Sequence, residues 1–134
     1  MGKFLFKGVN SGKSFAIRIT GTLTLLDSND DISEMEHVSD SIYMQINTTE
    51  IPLVDEDIDY LIQGLLIMED VIKKHFQSDV KFSLDQILFH LADHQPDLLK
   101  YAIIGCVCDD LSLQCVQPKM RYDHTLKRFV EIEQ

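Results

Sequence analysis

From Phe15 to Leu25 the chain alternates. Phe15, Ile17, Ile19, Leu23 and Leu25 share one parity, while Ala16, Arg18, Thr20, Thr22 and Thr24 share the other. A period of two, rich in β-branched residues, predicts a half-buried strand. Phe4 and Phe6 alternate just upstream, so Asn10-Ser11-Gly12 is expected to turn an antiparallel hairpin. Ile42, Met44 and Ile46 alternate with Ser41, Tyr43 and Gln45, which predicts a third strand. Helical spacing then takes over: Ile58, Leu61, Ile62, Leu65, Met68, Ile72 and Phe76 mark one face of a helix over 55–76. Asp55, Glu56, Asp57 and Asp59 crowd its start and Lys73, Lys74 and His75 its end, an arrangement that complements the helix dipole.

The next segment carries two signals. Val80, Phe82 and Leu84 alternate like a strand, yet Ser83 and Gln86 form a capping box, and Leu84, Ile87, Leu88 and Leu91 have helical spacing. The second signal predicts a helix from 84 to about 94. Pro96 suits the first turn of a further helix over 97–108, although Gly105 weakens it. The stretches "LSLQCV" (111–116) and "RFVEIEQ" (128–134) read as closing strands. Strands, then helices, then strands imply an α+β fold: an antiparallel sheet of about five strands, with two or three helices on one face.

The 134 residues suit a single domain spanning 1–134, with no repeat and no Pro/Gly/Ser-rich linker to divide it. The longest apolar run, Tyr101–Cys108, falls far short of the roughly 20 residues a membrane span needs. The opening "MGKFLFKG" lacks the apolar stretch of a secretory signal, and Phe6 stands where myristoylation wants Ser or Thr. Three cysteines, an odd number, argue against a disulfide framework and for a reducing compartment. A soluble, cytoplasmic protein is expected.

Candidate chemistry is sparse. "KGVNSGKS" (7–14) ends like a phosphate-binding loop, but only three residues separate Gly8 from Gly12, and a strand rather than a helix follows. His90 and His94, with Asp93 beside them, have the i, i+4 spacing of a helical metal site; Leu91 stands where a zinc protease would place Glu. Cys106 and Cys108, with Cys115 and His124 further on, are soft ligands at an unusual spacing for structural zinc. Cys106 also sits in an apolar run where a free cysteine behaves as a small hydrophobe. Asp27, Asn29 and Asp31 begin a calcium-loop pattern that breaks at Ile32 and Val38. Asp109-Asp110 is a carboxylate pair among 22 acids, which selects nothing, and no Gly-x-Ser-x-Gly elbow accompanies the serines. No catalytic group, cofactor or metal follows from these motifs; His90, His94, Cys106 and Cys108 are the weak metal alternative.

The charge map is the one feature that is not generic. Formal net charge is −10, and no Lys or Arg occurs from Ile19 to Ile72, a segment holding thirteen acids. Such a surface attracts cationic partners and raises association rates. At a screening length of ~8 Å the acids must cluster to act together, so the loop 27–40 and the helix start 55–59 would have to meet. The same map argues against nucleic acid, whose phosphates need lysine and arginine. The reading that results is a small non-enzymatic protein that neutralises a basic protein partner, of the kind represented by an immunity protein or antitoxin-type inhibitor of a cationic toxin such as a nuclease. Asp30, Asp31, Glu34, Glu36, Asp55, Glu56, Asp57 and Asp59 are its expected contacts. The alternatives are an enzyme or metal-binding domain built around His90/His94 or the C-terminal cysteines, and a homo-oligomeric subunit with the apolar helix 97–108 buried between copies.

Overall fold

The computed structural model describes residues 1–47, 50–90 and 94–132. Two long strands, β1 (Gly2–Asn10) and β2 (Lys13–Leu25), form the expected hairpin, with Asn10 paired to Lys13. Ser11 and Gly12 both take positive φ (53° and 78°), the left-handed pair whose twist matches a two-residue hairpin loop. Two short strands follow, β3 (Glu36–Ser39) and β4 (Ile42–Ile46), and then two helices, α1 (Asp55–Ile67) and α2 (Glu69–Phe76). Next come β5 (Val80–Leu88), α3 (Leu99–Asp110) and a terminal hairpin of β6 (Met120–Asp123) and β7 (Arg128–Glu131).

The main sheet has the order β1-β2-β5-β4-β3. All its pairs are antiparallel except β4–β5, so it is mixed and mostly antiparallel. The parallel pair follows from connectivity: α1 and α2 lie between β4 and β5, and parallel neighbours need such a crossover. α3 packs on β1 and β2, α1 packs beside α3, and α1 also reaches β3. Ile17, Ile19, Ile42, Met44, Phe82 and Leu84 meet Leu61, Leu65, Leu99 and Ile103 in the core. Gly105 is required there: a Cβ would overlap the ring of Phe4, so α3 settles on β1 only with glycine at this position.

Several expectations are corrected. The helix foreseen over 84–94 is a strand as far as Leu88, paired along β2 and, up to Leu84, along β4 as well. The helical spacing of Leu84 and Ile87 comes from a bulge. Gly21 pairs with Leu84 but Thr20 with Gln86, so Asp85 is an extra residue and Ile87 returns to the buried face. Residues 91–93, including Leu91 and Asp93, lie outside the described residues. The 55–76 helix divides at Met68, whose N–H is shared among the carbonyls of Gly64, Leu65 and Leu66, a tightened turn that ends α1. Residues 111–116 are not a strand: Leu111 caps α3 and Ser112 takes φ 57°, so the partner of β7 is β6.

The cysteine reading changes too. Cys108 and Cys115 are joined in a disulfide with a Cα–Cα separation of 6.2 Å, because the chain doubles back at the end of α3 and Leu113 N–H donates to the Cys108 carbonyl. Only Cys106 is free. An odd count therefore does not exclude a bridge. Helix 97–108 buries its apolar residues against its own sheet and α1. Among the described residues, no helix is long and apolar enough to cross a membrane.

Candidate functional site

The first turn of α1 holds Asp55, Glu56 and Asp57, whose charges suit the positive end of a helix. Their side chains part company. Asp55 and Glu56, with Asp59 one turn on, face solvent, whereas Asp57 is only 3 % exposed. One Asp57 oxygen accepts from the Val54 N–H (3.1 Å), tying the carboxylate back to the helix start. Its other oxygen, Oδ1, lies 2.8 Å from His94 Nε2.

His94 is fixed on a second side. Its ring stacks on Phe89 with centroids 3.7 Å apart and planes 14° from parallel. Its side chain is 11 % exposed, and Nδ1 is buried without a hydrogen-bond partner among the described residues. Gln95, the next residue, grips the terminal hairpin through both ends of its amide: Nε2 donates to the Phe129 carbonyl (2.7 Å) and Oε1 accepts from the Phe129 N–H (2.8 Å). Asn10, at the tip of the first hairpin, accepts from the Tyr122 N–H (2.9 Å). These bonds bring the β1–β2 tip, the α1 start, the 94–98 segment and the β6–β7 hairpin around one cleft.

That cleft has two chambers. An apolar one of about 530 Å³ has Phe15, Ile17, Phe89 and Leu98 in its walls, with His90 and Lys7 among its polar groups. A polar one of about 600 Å³ is bordered by Lys13, Glu56, Tyr60, Lys127 and Arg128. Ser14, His94 and Gln95 line both. The chain positions that the phosphate-loop letters singled out therefore do border a cavity, though as a hairpin turn and not as a loop opening a helix.

The acids foreseen as contacts have different surroundings. Asp30 is paired with Lys81 at 2.6 Å, and the Lys81 hydrogen bond, with help from the Asp27 N–H, holds its carboxyl below the ordinary value. Asp31 caps a short 3₁₀ turn by accepting from Ser33. Glu34 ends that turn, exposed, and Glu36 opens β3 opposite Met44. Lys81 lies near the start of β5 while His94 and Asp57 lie beyond its end, so the seven strand steps from Lys81 to Leu88, roughly 23 Å at ~3.3 Å each, separate the Asp30 pair from the Asp57 pair. That exceeds a screening length of ~8 Å.

The other candidate groups are placed plainly. His90 lines the apolar chamber, and His94 is bonded to Asp57. Cys108 is in the disulfide, and Cys106 is buried against the Gly2 carbonyl, its thiol pushed up to about 12 by burial and then by the charge of Asp110. His124 packs edge-on against Tyr122. Asp109 and Asp110 accept from the backbone N–H groups of Lys3 and Leu23, so the pair ties α3 to β1 and β2. The broken calcium pattern is likewise used locally, Asp27 accepting from the Asn29 N–H. Among the described residues, no three His, Cys, Asp or Glu side chains gather as a metal site would need. The Asp57–His94 pair, 37 residues apart, leaves no mark in the linear sequence.

Comparison with protein-family models, curated proteins and solved structures finds no match for this chain.

Proposed function

We propose that this chain is a small acidic binding protein that neutralises a basic protein partner, in the manner of an immunity protein or antitoxin-type inhibitor of a cationic toxin such as a nuclease. The observation that carries the reading is the start of α1. Asp55, Glu56 and Asp59 are exposed there and have no ion-pair partner among the described residues, inside a segment free of Lys and Arg. Carboxylates that the fold leaves unneutralised repel one another and contribute nothing to folding, yet they steer and orient a cationic partner. Glu34 and Glu36 stand towards β3, against which α1 packs, and extend the field. Asp30, Asp31 and Asp57 serve their own chain and leave the contact set.

The test is kinetic. The triple variant Asp55→Asn/Glu56→Gln/Asp59→Asn is compared with the natural chain for association with a basic protein that co-purifies with it. Slower association by roughly tenfold, with a flatter salt dependence, supports the reading. Unchanged rates at low and high salt remove this helix start from the interface.

One observation favours the second reading, a protein with a small-molecule or catalytic site around His94. An imidazole fixed by a buried carboxylate, on a side chain that lines two cavities, is a positioned polar group.

A further inference from the structure

We propose that the two-chambered cleft is a binding site for a small amphipathic anion, a molecule with an apolar body and one negatively charged group. The site is independent of the acidic surface of α1, apart from Glu56.

The gap has a structural origin. β5 ends at Leu88 opposite Arg18, while β2 continues to Lys13, so the first residues of β2 have no strand beside them on that side. Phe15, Ile17, Phe89 and Leu98 turn that space into an apolar chamber of about 530 Å³, within the ~300–1,000 Å³ typical of small-ligand sites.

The second chamber supplies charge. In a chain of net charge −10 it gathers Lys13, Lys127 and Arg128. Arg128 is bonded to Asp97, which leaves Lys13 and Lys127 facing Glu56. Neither lysine is in an ion pair among the described residues, and Lys13 lies 5.7 Å above the Tyr122 ring. Two free cations against one carboxylate favour an anion, with Glu56 opposing it.

His94 stands where the chambers join. A carboxylate only accepts, so the His94 nitrogen facing Asp57 carries the hydrogen and Nε2–H donates to Asp57 Oδ1. Nδ1 is buried and has no partner among the described residues, so the ring is held by Asp57 on one edge and by Phe89 on one face. The His94 side chain lines both chambers, so a ligand spanning them lies against this ring.

The probe is 8-anilinonaphthalene-1-sulfonate, which has an apolar body and a sulfonate. Fluorescence titration of the purified native chain, without any protein partner, should give saturable one-site binding. Lys13→Gln with Lys127→Asn should weaken it at least tenfold; asparagine is chosen because Lys127 holds φ 57°. Glu56→Gln should strengthen binding a few-fold, and Ala16→Trp, at an exposed position on the chamber wall, should block it. The uncharged N-phenyl-1-naphthylamine should bind more weakly and ignore the lysine changes. In ¹⁵N imidazole NMR, the His94 Nδ1 resonance should move on saturation with the sulfonate. Melting temperatures of the surface variants should match the natural chain. Non-saturable binding, an affinity indifferent to Lys13, Lys127 and Glu56, equal binding of the uncharged probe, or a stationary Nδ1 signal would each overturn the proposal.

Discussion

Replacing Asp57 should hurt far more than replacing its neighbours in sequence, and the structure gives the size of the difference. Asp57→Ala removes the bond to Val54 N–H, a helix-start interaction worth about 1 kcal/mol. It also removes the charged bond to His94 and leaves Nε2 of that ring facing a cavity, a loss of about 2–3 kcal/mol. The sum is roughly 3–4 kcal/mol, a large share of the ~5–15 kcal/mol that holds a typical domain together. Asp57→Asn keeps an oxygen for Val54 and turns its amide to the ring with the other tautomer, so about 1–2 kcal/mol is lost. Asp55→Ala and Asp59→Ala, both exposed, should stay within about 0.5 kcal/mol. Urea unfolding followed by circular dichroism reads the midpoints, and an unchanged slope shows that the unfolded state is not what altered. A double-mutant cycle with His94→Ala isolates the pair, with an expected coupling of about 1–2 kcal/mol. If Asp57→Ala proves as mild as Asp55→Ala, or the coupling is zero, the buried pair does not exist in solution and the account of the site built on it fails.

Four further outcomes are expected. Gly105→Ala should destabilise by about 1–3 kcal/mol, since the added methyl meets the Phe4 ring, and shortening that ring with Phe4→Leu should recover part of the loss in thermal melts. The Lys81 bond holds the Asp30 carboxyl below its ordinary 3.8, so its stabilisation is full above that value and fades as pH falls through the lowered folded-state pKa. The melting-temperature gap between the natural chain and Asp30→Asn should therefore be widest near neutrality and close under acid conditions, and a gap that persists at pH 2 contradicts the pairing. Reduction of Cys108–Cys115, which closes a short loop of sequence separation 7, should cost about 2.5 kcal/mol by loop entropy in urea melts run with and without reductant. In the same samples, mass spectrometry after alkylation should find Cys106 unlabelled until the chain unfolds, because burial raises its thiol to about 12.

What the sequence determined by itself is what short-range physics controls. The β1–β2 hairpin is legible because alternation and a turn of Asn, Ser and Gly are properties of neighbouring residues, and α1, α2 and α3 because a helix closes its bonds within a few positions. The exposed charge of Asp55, Glu56 and Asp59 was legible for the same reason. Tertiary structure decided the rest. β5 became a strand because β2 pairs along it and β4 pairs its first half, and this ladder outweighs a local capping box; the Asp85 bulge is visible only against the register of β2. Asp57 left the surface because His94, 37 residues on, meets it, and Asp30 is paired because Lys81, 51 residues on, reaches it. The Asp30–Lys81 and Asp57–His94 pairs ended at opposite ends of β5. Charge, spacing and periodicity are written along the chain, but which side chain answers a buried polar group depends on contacts between segments tens of residues apart, whose free energy no local pattern carries.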